Sequence, residues 1–572
     1  MSIGSFTFVL HSHIPYTRLA GRWPHGEEWI HEAITETYIP LLKTLYQLKE
    51  KGHPIRLTLG LTPILAEQLA DPDILSHFEQ YIQSRIDAAH ADTLYYRDFL
   101  VDDPTTIYDP HLHYLATWHK ESLQAVQTAF HEQFQRDIIG AFRQLQDKGF
   151  IEIIGGPATH PYLPLLSQDS SIEGQLVTGI NSYRRLFGRD PKAVWLPECA
   201  YRPAYHTEAN QLRPGIEHFL AKHGIKLFFS ETHTITGGQP VGLAAGEALG
   251  PYGAVTRRYT LPASESLPTK QATTFFPYYV NDSTHGADAT THSGVAVIGR
   301  NNSSSMQVWS AETGYPGDFD YREFHKRAGT SGLQYWRVTG NQVGLEMKDY
   351  YQPEWAAYKI DQHAEHFAHL VGDILRKFHN KTGEHGLVAS CYDTELFGHW
   401  WFEGVEWLGK VLEHLAENED ISLTTATQFI EEHPPKDTLN IPESSWGAGG
   451  THFTWDNPET HWMWEPIHQA EKRVAAFAKS YPEATPEEAA VLNQVVRELM
   501  LMQSSDWPFL VTTGQAREYA IQRFNQHYER FSKLADSLDQ GAPDSRLAAE
   551  YWELDKVFPD VDYRAFAPLT TG

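Results

Sequence analysis

Cysteine is nearly absent: Cys199 and Cys391 are the only two in 572 residues. Two thiols make no disulfide framework, so the core has to hold the fold, and such usage suits a reducing compartment. Positive charge is also scarce, with 46 Lys and Arg against 73 Asp and Glu, for a net charge of −27. A surface of that sign repels phosphate backbones and anionic lipid. It argues against nucleic-acid and membrane partners and favours a neutral substrate, with solubility alone as the competing explanation. No apolar run approaches the ~20 residues of a spanning helix. The N-terminal MSIGSFTFVLHSHIPY lacks a basic n-region and has only a short apolar run, so it reads as a buried strand rather than a signal peptide. The expectation is a soluble, cytoplasmic protein. No repeat occurs at solenoid or propeller spacing.

What is present is a large apolar share, 41%, and 16 Trp, enough for a sizeable core and more than one domain at this length. Aromatic rings serve cores and sugar faces alike, so their number does not choose between the two. Short apolar runs alternate with longer helical stretches. The runs are Phe6–Leu10, Ile55–Leu59, Ile151–Ile154, Ala193–Leu196, Leu227–Phe229, Gln307–Trp309 and Leu387–Ser390. Between them His31–Lys51, Glu121–Lys148 and Gln362–His379 carry apolar residues at helical spacing. Strand then helix, repeated, predicts a parallel α/β sheet, with closure into a barrel left open at this point. A Gly-, Pro-, Ser- and Thr-rich stretch from Thr234 to about Thr291 reads as an insertion. From about Glu403 onward the pattern is helical (Glu465–Ser480, Pro486–Gln503, Gly514–Ser537), interrupted by an aromatic loop over Ser444–Trp464.

Chemistry-bearing residues follow the runs. His11-Ser12-His13, Gly155-Gly156 with His160, Pro197-Glu198, Ser230-Glu231, Ser310-Ala311-Glu312 and Tyr392-Asp393 all stand at carboxyl ends of candidate strands. Folds of this class place their chemistry there. Glu198 lies between Pro197 and Cys199, a poor setting for a solvated face, and an ion pair with Arg202 is the alternative. Asp393 is the second such carboxylate, with Glu395 its competitor. Two carboxyls facing across one cleft are what glycosidic bond cleavage requires. His11, His13 and His160 could ligate zinc or hydrogen-bond hydroxyls, but no His-Glu-x-x-His motif accompanies them. Ser445-Trp446-Gly447-Ala448-Gly449-Gly450, followed by His452, Trp455, Asp456, Trp462 and Trp464, lacks helical periodicity and reads as a loop displaying rings to a sugar polymer.

At these residues the chain resembles glycoside hydrolase family 57, in its 1,4-α-glucan branching form. Five stretches carry the resemblance in order: His11–Tyr16, Gly155–His160, Trp195–Pro203, Tyr392–Trp401 and Ser445–Gly450 with its Trp-rich sequel. Gln503-Ser504-Ser505-Asp506-Trp507 adds to it. The resemblance implies a seven-stranded (β/α)7 barrel over residues 1–233 and 298–402, a small inserted domain over 234–297, and a C-terminal α-helical domain over 403–572. It implies no metal and no cofactor, a monomer, and an α-glucan polymer (amylose, amylopectin or glycogen) as substrate. Glu198 would be the nucleophile of a retaining mechanism and Asp393 the general acid/base. Trp23, Trp309, Trp446 and Trp455 would be sugar platforms, and His11, His13, His160 and Asp506 polar contacts. Arg300 and Trp400 would also contact substrate. Tyr252, in Gly250-Pro251-Tyr252-Gly253, is the candidate for a mobile tyrosine near the nucleophile.

Overall fold

The computed structural model describes residues 2–22, 24–240, 249–250, 253–254, 266–282, 291–309, 314–340 and 342–569. It is a mixed α/β fold. β1 (Gly4–Ser12) is buried along its whole length, as a parallel strand covered on both faces should be. It pairs in parallel with β2 (Leu57–Leu61) on one side and with β7 (Gly386–Asp393) on the other. β2 continues to β3 (Ile151–Ile154). Gly155 then bridges to Val194, and Ala193 to Leu227 at the start of β4 (Leu227–Ser230). β4 pairs in parallel with β6 (His292–Gly299), and Asn301 N just beyond β6 donates to Ala389 O of β7 at 2.9 Å. β5 (Tyr278–Asn281) lies antiparallel to β6 on its outer edge.

Five of the seven expected strands form where the apolar runs place them, and Ala193–Leu196 contributes isolated bridges instead of a full strand. Gln307–Trp309 is a correction. It closes the helix Asn302–Trp309, which begins after Asn301, whose side chain accepts from Ser304 N at 3.1 Å. β6, which pairs with β4, begins inside the stretch assigned to the insertion and runs past it, so the limit at 297 falls within a sheet strand. Ser310, Ala311 and Glu312 lie outside the described residues. The sheet layer also runs past residue 403. β8 (Ile421–Leu423) pairs with β1, and β9 (Thr438–Leu439) pairs with β5.

Helices cover the sheet. Phe367, on the helix Pro353–Thr382, stacks on Phe8 of β1 with centroids 6.0 Å apart, and Trp407 closes the same cluster. That helix stops at Gly383, whose φ of 73° needs no Cβ. The expected His31–Lys51 helix is interrupted by a π turn at Ile34–Tyr38, an irregularity often tied to function. Beyond the Trp-rich loop, helices Trp464–Ser480, Pro486–Met502, Asp506–Thr513, Arg517–Asp539 and Ser545–Leu554 pack on a second core that includes Trp507 and Phe524. Among the described residues no helix is long and apolar enough to cross a membrane.

Candidate active site

Strand ends assemble the site. In the register of β1 with β7, His11 sits beside Asp393, the last residue of β7. Glu198 follows the bridging segment at 193–195 and adopts φ 61°, ψ 23°, a left-handed conformation that costs a non-glycine residue about 1 kcal/mol or more. Cys199 (φ 47°) and His160 (φ 56°) share this region. The Trp-rich loop fixes the strained backbone: Trp446 N donates to Glu198 O at 3.0 Å.

The Glu198 carboxylate accepts two hydrogen bonds. Trp446 Nε1 donates to Oε2 at 2.7 Å, and Ser505 Oγ donates to Oε1 at 2.7 Å. Its alternative partner Arg202 is engaged elsewhere, 5.0 Å from the Tyr205 ring centroid and 3.9 Å from Asp169. Burial pushes the Glu198 carboxyl up to about 7, against the two hydrogen bonds that favour its charge. Burial likewise raises Asp393 to about 6, opposed by the positive charges of Arg300 and His13. Glu395 is raised to about 7 by burial, but its carboxyl is engaged: the Tyr38 hydroxyl and His13 N both donate to Oε1. The π turn therefore delivers Tyr38 to Glu395, and the carboxylate of the two that carries no hydrogen bond among the described residues is Asp393.

The histidines form one stacked group. The His13 and His160 centroids are 3.9 Å apart, and the His11 and His160 Nε2 atoms lie 3.1 Å from each other. Burial, then the charge of His13, holds His11 and His160 well below the usual imidazole value, so both are neutral. His13 is raised: burial opposes its charge, but Asp506, 2.9 Å from Nε2, together with the charges of Glu198 and Glu395, outweighs it. Three residues absent from the candidate set complete the frame. Thr62 lies 3.1 Å from His13 Nδ1, Trp195 stacks on His11 at 5.0 Å, and Ser505 lies 3.0 Å from His160 Nδ1. Trp195 and Ser505 stand within motifs read from the sequence, whereas Thr62 carries no local signal beyond its place after β2. Ligand atoms of His13, His160 and Asp506 lie within 4.8 Å of one another, as do those of Glu498, His527 and Asp555 away from the site, so the trio could hold a metal, yet both nitrogens of His13 and His160 are already engaged.

The remaining candidates separate. Arg300 Nη1 pairs with Glu231 at 2.9 Å and acts on Asp393 through its charge. Trp446 is partly exposed beside Glu198, Trp400 is exposed, and Trp309 is half-buried against the main core. Trp455 is a correction: it is 0% exposed and stacked on Tyr162 at 4.3 Å, so it offers no face to a sugar. Trp23 and Tyr252 lie outside the described residues.

Comparison with known proteins adds the following. The family model "Glycosyl hydrolase family 57" matches residues 7–442, and a model described as "1,4-alpha-glucan branching enzyme, C-terminal" matches residues 466–566. The chain is 41% identical to a 1,4-alpha-glucan branching enzyme of Thermococcus kodakarensis, over 98% of this chain and 78% of that protein. A solved GH57-type branching enzyme from Pyrococcus horikoshii superposes with a TM-score of 0.84 at 39% identity, covering 100% of this chain and 98% of that one. An alpha-amylase from Thermotoga maritima superposes with a TM-score of 0.79 at 29% identity, covering 99% of each chain.

Proposed function

The chain belongs to glycosyl hydrolase family 57, and from this we propose that it is a 1,4-α-glucan branching enzyme. It cleaves α-1,4 linkages of an α-glucan polymer and transfers the freed chain to a glucan 6-hydroxyl. The observation that carries the reading is the seat of Glu198. One of its donors, Trp446, belongs to the Trp-rich loop, and the other, Ser505, lies in the segment matched by the branching-enzyme C-terminal model.

In this reading Glu198 attacks the anomeric carbon. The C–O bond breaks as Asp393 gives its proton to the leaving oxygen, and a glycosyl ester forms on Glu198. Asp393, now ionised, takes the proton of an incoming 6-hydroxyl, whose oxygen displaces the Glu198 carboxylate with net retention. Trp446 and Ser505 stabilise the carboxylate as nucleophile and as leaving group. His13, held charged beside Asp506, places its positive charge near both carboxyls, and at Glu198 the Asp506 charge opposes it. Neutral His11 and His160 are suited to sugar hydroxyls.

The pairings among β1, β2, β3, residues 193–195, β4, β6 and β7 support a seven-stranded (β/α)7 barrel. An insertion between β4 and β5 and a C-terminal helical domain from Trp464 onward complete the architecture we assign. The two unpaired cysteines suit a reducing, cytoplasmic setting.

The test is incubation with amylose, followed by enzymatic debranching and chain-length analysis. New α-1,6 linkages are expected. Shortened linear chains without branches would instead make the protein an α-amylase, like the Thermotoga relative.

A further inference from the structure

A cavity of about 670 Å3 opens on the flank of the fold, and its lining includes none of Glu198, Asp393, His11, His13, His160, Trp446 or Asp506. One wall is a helical stripe, Glu32, Thr35, Glu36, Lys43 and Gln47, running across the π turn. Tyr38 lies off this stripe and reaches Glu395, a neighbour of Asp393, so the same helical segment faces Glu395 with one side and this cavity with another. The opposite wall is a second stripe, Tyr114, Trp118, Ser122 and Val126, on the helix Pro110–Thr128. The helix Pro353–Thr382 and residues 402–406 form the floor.

The lining combines aromatic faces with paired charges. Trp118 meets Phe402 edge to face at 5.6 Å, and the Arg322 guanidinium lies 3.7 Å over the Phe402 ring. Arg322 also donates to Glu36 at 3.1 Å, and Arg327 to Glu32 at 3.2 Å. Those pairs cancel, so an ion gains little here, while their remaining donors and acceptors suit a ligand rich in hydroxyls. One polar atom waits for a partner. Glu403, 3% exposed, uses Oε1 to accept from Arg322 N and the Tyr351 hydroxyl at 2.9 and 2.8 Å, while its buried Oε2 has no hydrogen bond among the described residues. At the mouth the Tyr114 hydroxyl donates to Glu354 at 2.6 Å, leaving the ring 39% exposed, and Tyr358, one helical turn beyond Glu354, is 63% exposed. Exposed rings beside a polar cavity fit the apolar face of a sugar.

We propose that this cavity is a second binding site for a neutral α-1,4-glucan segment, holding the polymer on the flank while the catalytic cleft works on another part of it. The proposal rests on the function given above, because it takes its ligand class from it. Holding one polymer at two places raises the effective concentration of chain at the cleft without adding a contact there.

The test is calorimetric titration of maltoheptaose into the full chain bearing Glu198→Gln, so that the ligand is not consumed, alone and combined with Tyr114→Ala or with Ser122→Trp, which fills the cavity. Two sites are expected in the first protein and one in the combinations. With Glu198 intact, Tyr114→Ala and Ser122→Trp should turn over short donors at the parent rate and raise the KM for amylose about fivefold. A single site before any cavity substitution overturns the proposal even if both cavity variants misfold, and so do two sites retained in either folded combination. Failure of the function itself reads differently: amylose would gain no α-1,6 branches, whatever the number of sites.

Discussion

Glu198 shows what a buried carboxylate gives and costs. Glu198→Gln should lower turnover on the order of 10³-fold or more, because no ester can form, while glucan still binds. The same change should stabilise the fold in a pH-dependent way. The folded-state value of about 7 stands above an ordinary carboxyl near 4.5. The folded protein therefore holds this proton more tightly than the unfolded chain. The cost of its ionisation is absent below about 4.5, grows as pH rises, and is complete above about 7. The Gln variant should melt higher than the parent at pH 8, by up to ~3 kcal/mol of stability, and show no such gain at pH 4. Equal melting differences at both pH values would sink the argument. Asp393→Asn should be nearly inactive on glucan, but azide should rescue it on a donor whose leaving group needs no proton. Should Glu395→Gln be inactive and Asp393→Asn active, the acid has been misassigned. In the proposed mechanism the working state of the parent needs Glu198 ionised and Asp393 protonated. The product of those fractions gives a bell-shaped rate profile peaking between about 6 and about 7, whichever group titrates first.

At the scale of elements, the Trp-rich loop invites a choice between two uses of Trp446. As a platform it would stack on sugar, and Trp446→Phe, which keeps a ring, would alter KM. As a donor its Nε1 supports Glu198, and the Phe variant loses that hydrogen bond. A charge-assisted bond of this kind is worth about 1.5–3 kcal/mol, so kcat should fall roughly tenfold or more with KM little changed. The reverse split would return Trp446 to the platform role. This use of the ring was not legible from the sequence, which shows a Trp in a polar loop but not which edge it turns inward. Trp455 shows the same limit from the other side, since absence of helical periodicity does not tell a displayed ring from one wedged against Tyr162. The strand ends were legible, because β1, β3 and β7 are short, mostly apolar runs followed by His11-Ser12-His13, Gly155-Gly156 and Asp393. β6 was not, because its neighbours in the chain are Gly-, Ser- and Thr-rich and drew the whole stretch into a loop. Gln307–Trp309 misled for the opposite reason: three residues are too few to separate a helix end from a strand. Glu198 and Asp393 were legible as carboxylates after strands, but the donor Ser505, 307 residues away, became visible only with the fold.

On the scale of the molecule, the site joins the sheet layer to the C-terminal helices through one cluster, His13, His160 and Asp506, and that cluster decides between two chemistries. Its ligand atoms lie close enough for a metal ion, which makes a metal-dependent hydrolase the natural rival. The hydrogen bonds argue otherwise. His13 uses Nδ1 with Thr62 and Nε2 with Asp506, and His160 uses Nδ1 with Ser505 and Nε2 with His11. A metal would have to displace Asp506 from His13, removing the partner that keeps His13 charged, and would set its own charge where that imidazolium now stands. Ser505 ties the same cluster to Glu198, so the displacement would also loosen the proposed nucleophile. The cluster thus does its work as a hydrogen-bonded brace that connects helices to strand ends. Branching activity should therefore survive exhaustive treatment with a chelator, with rate and melting temperature unchanged, whereas Asp506→Asn should lower both, the rate by about tenfold through the loss of the His13 charge. Stoichiometric metal in the purified protein, with activity lost on its removal and restored on its return, would replace the brace by a metal centre and the double displacement by metal-assisted attack.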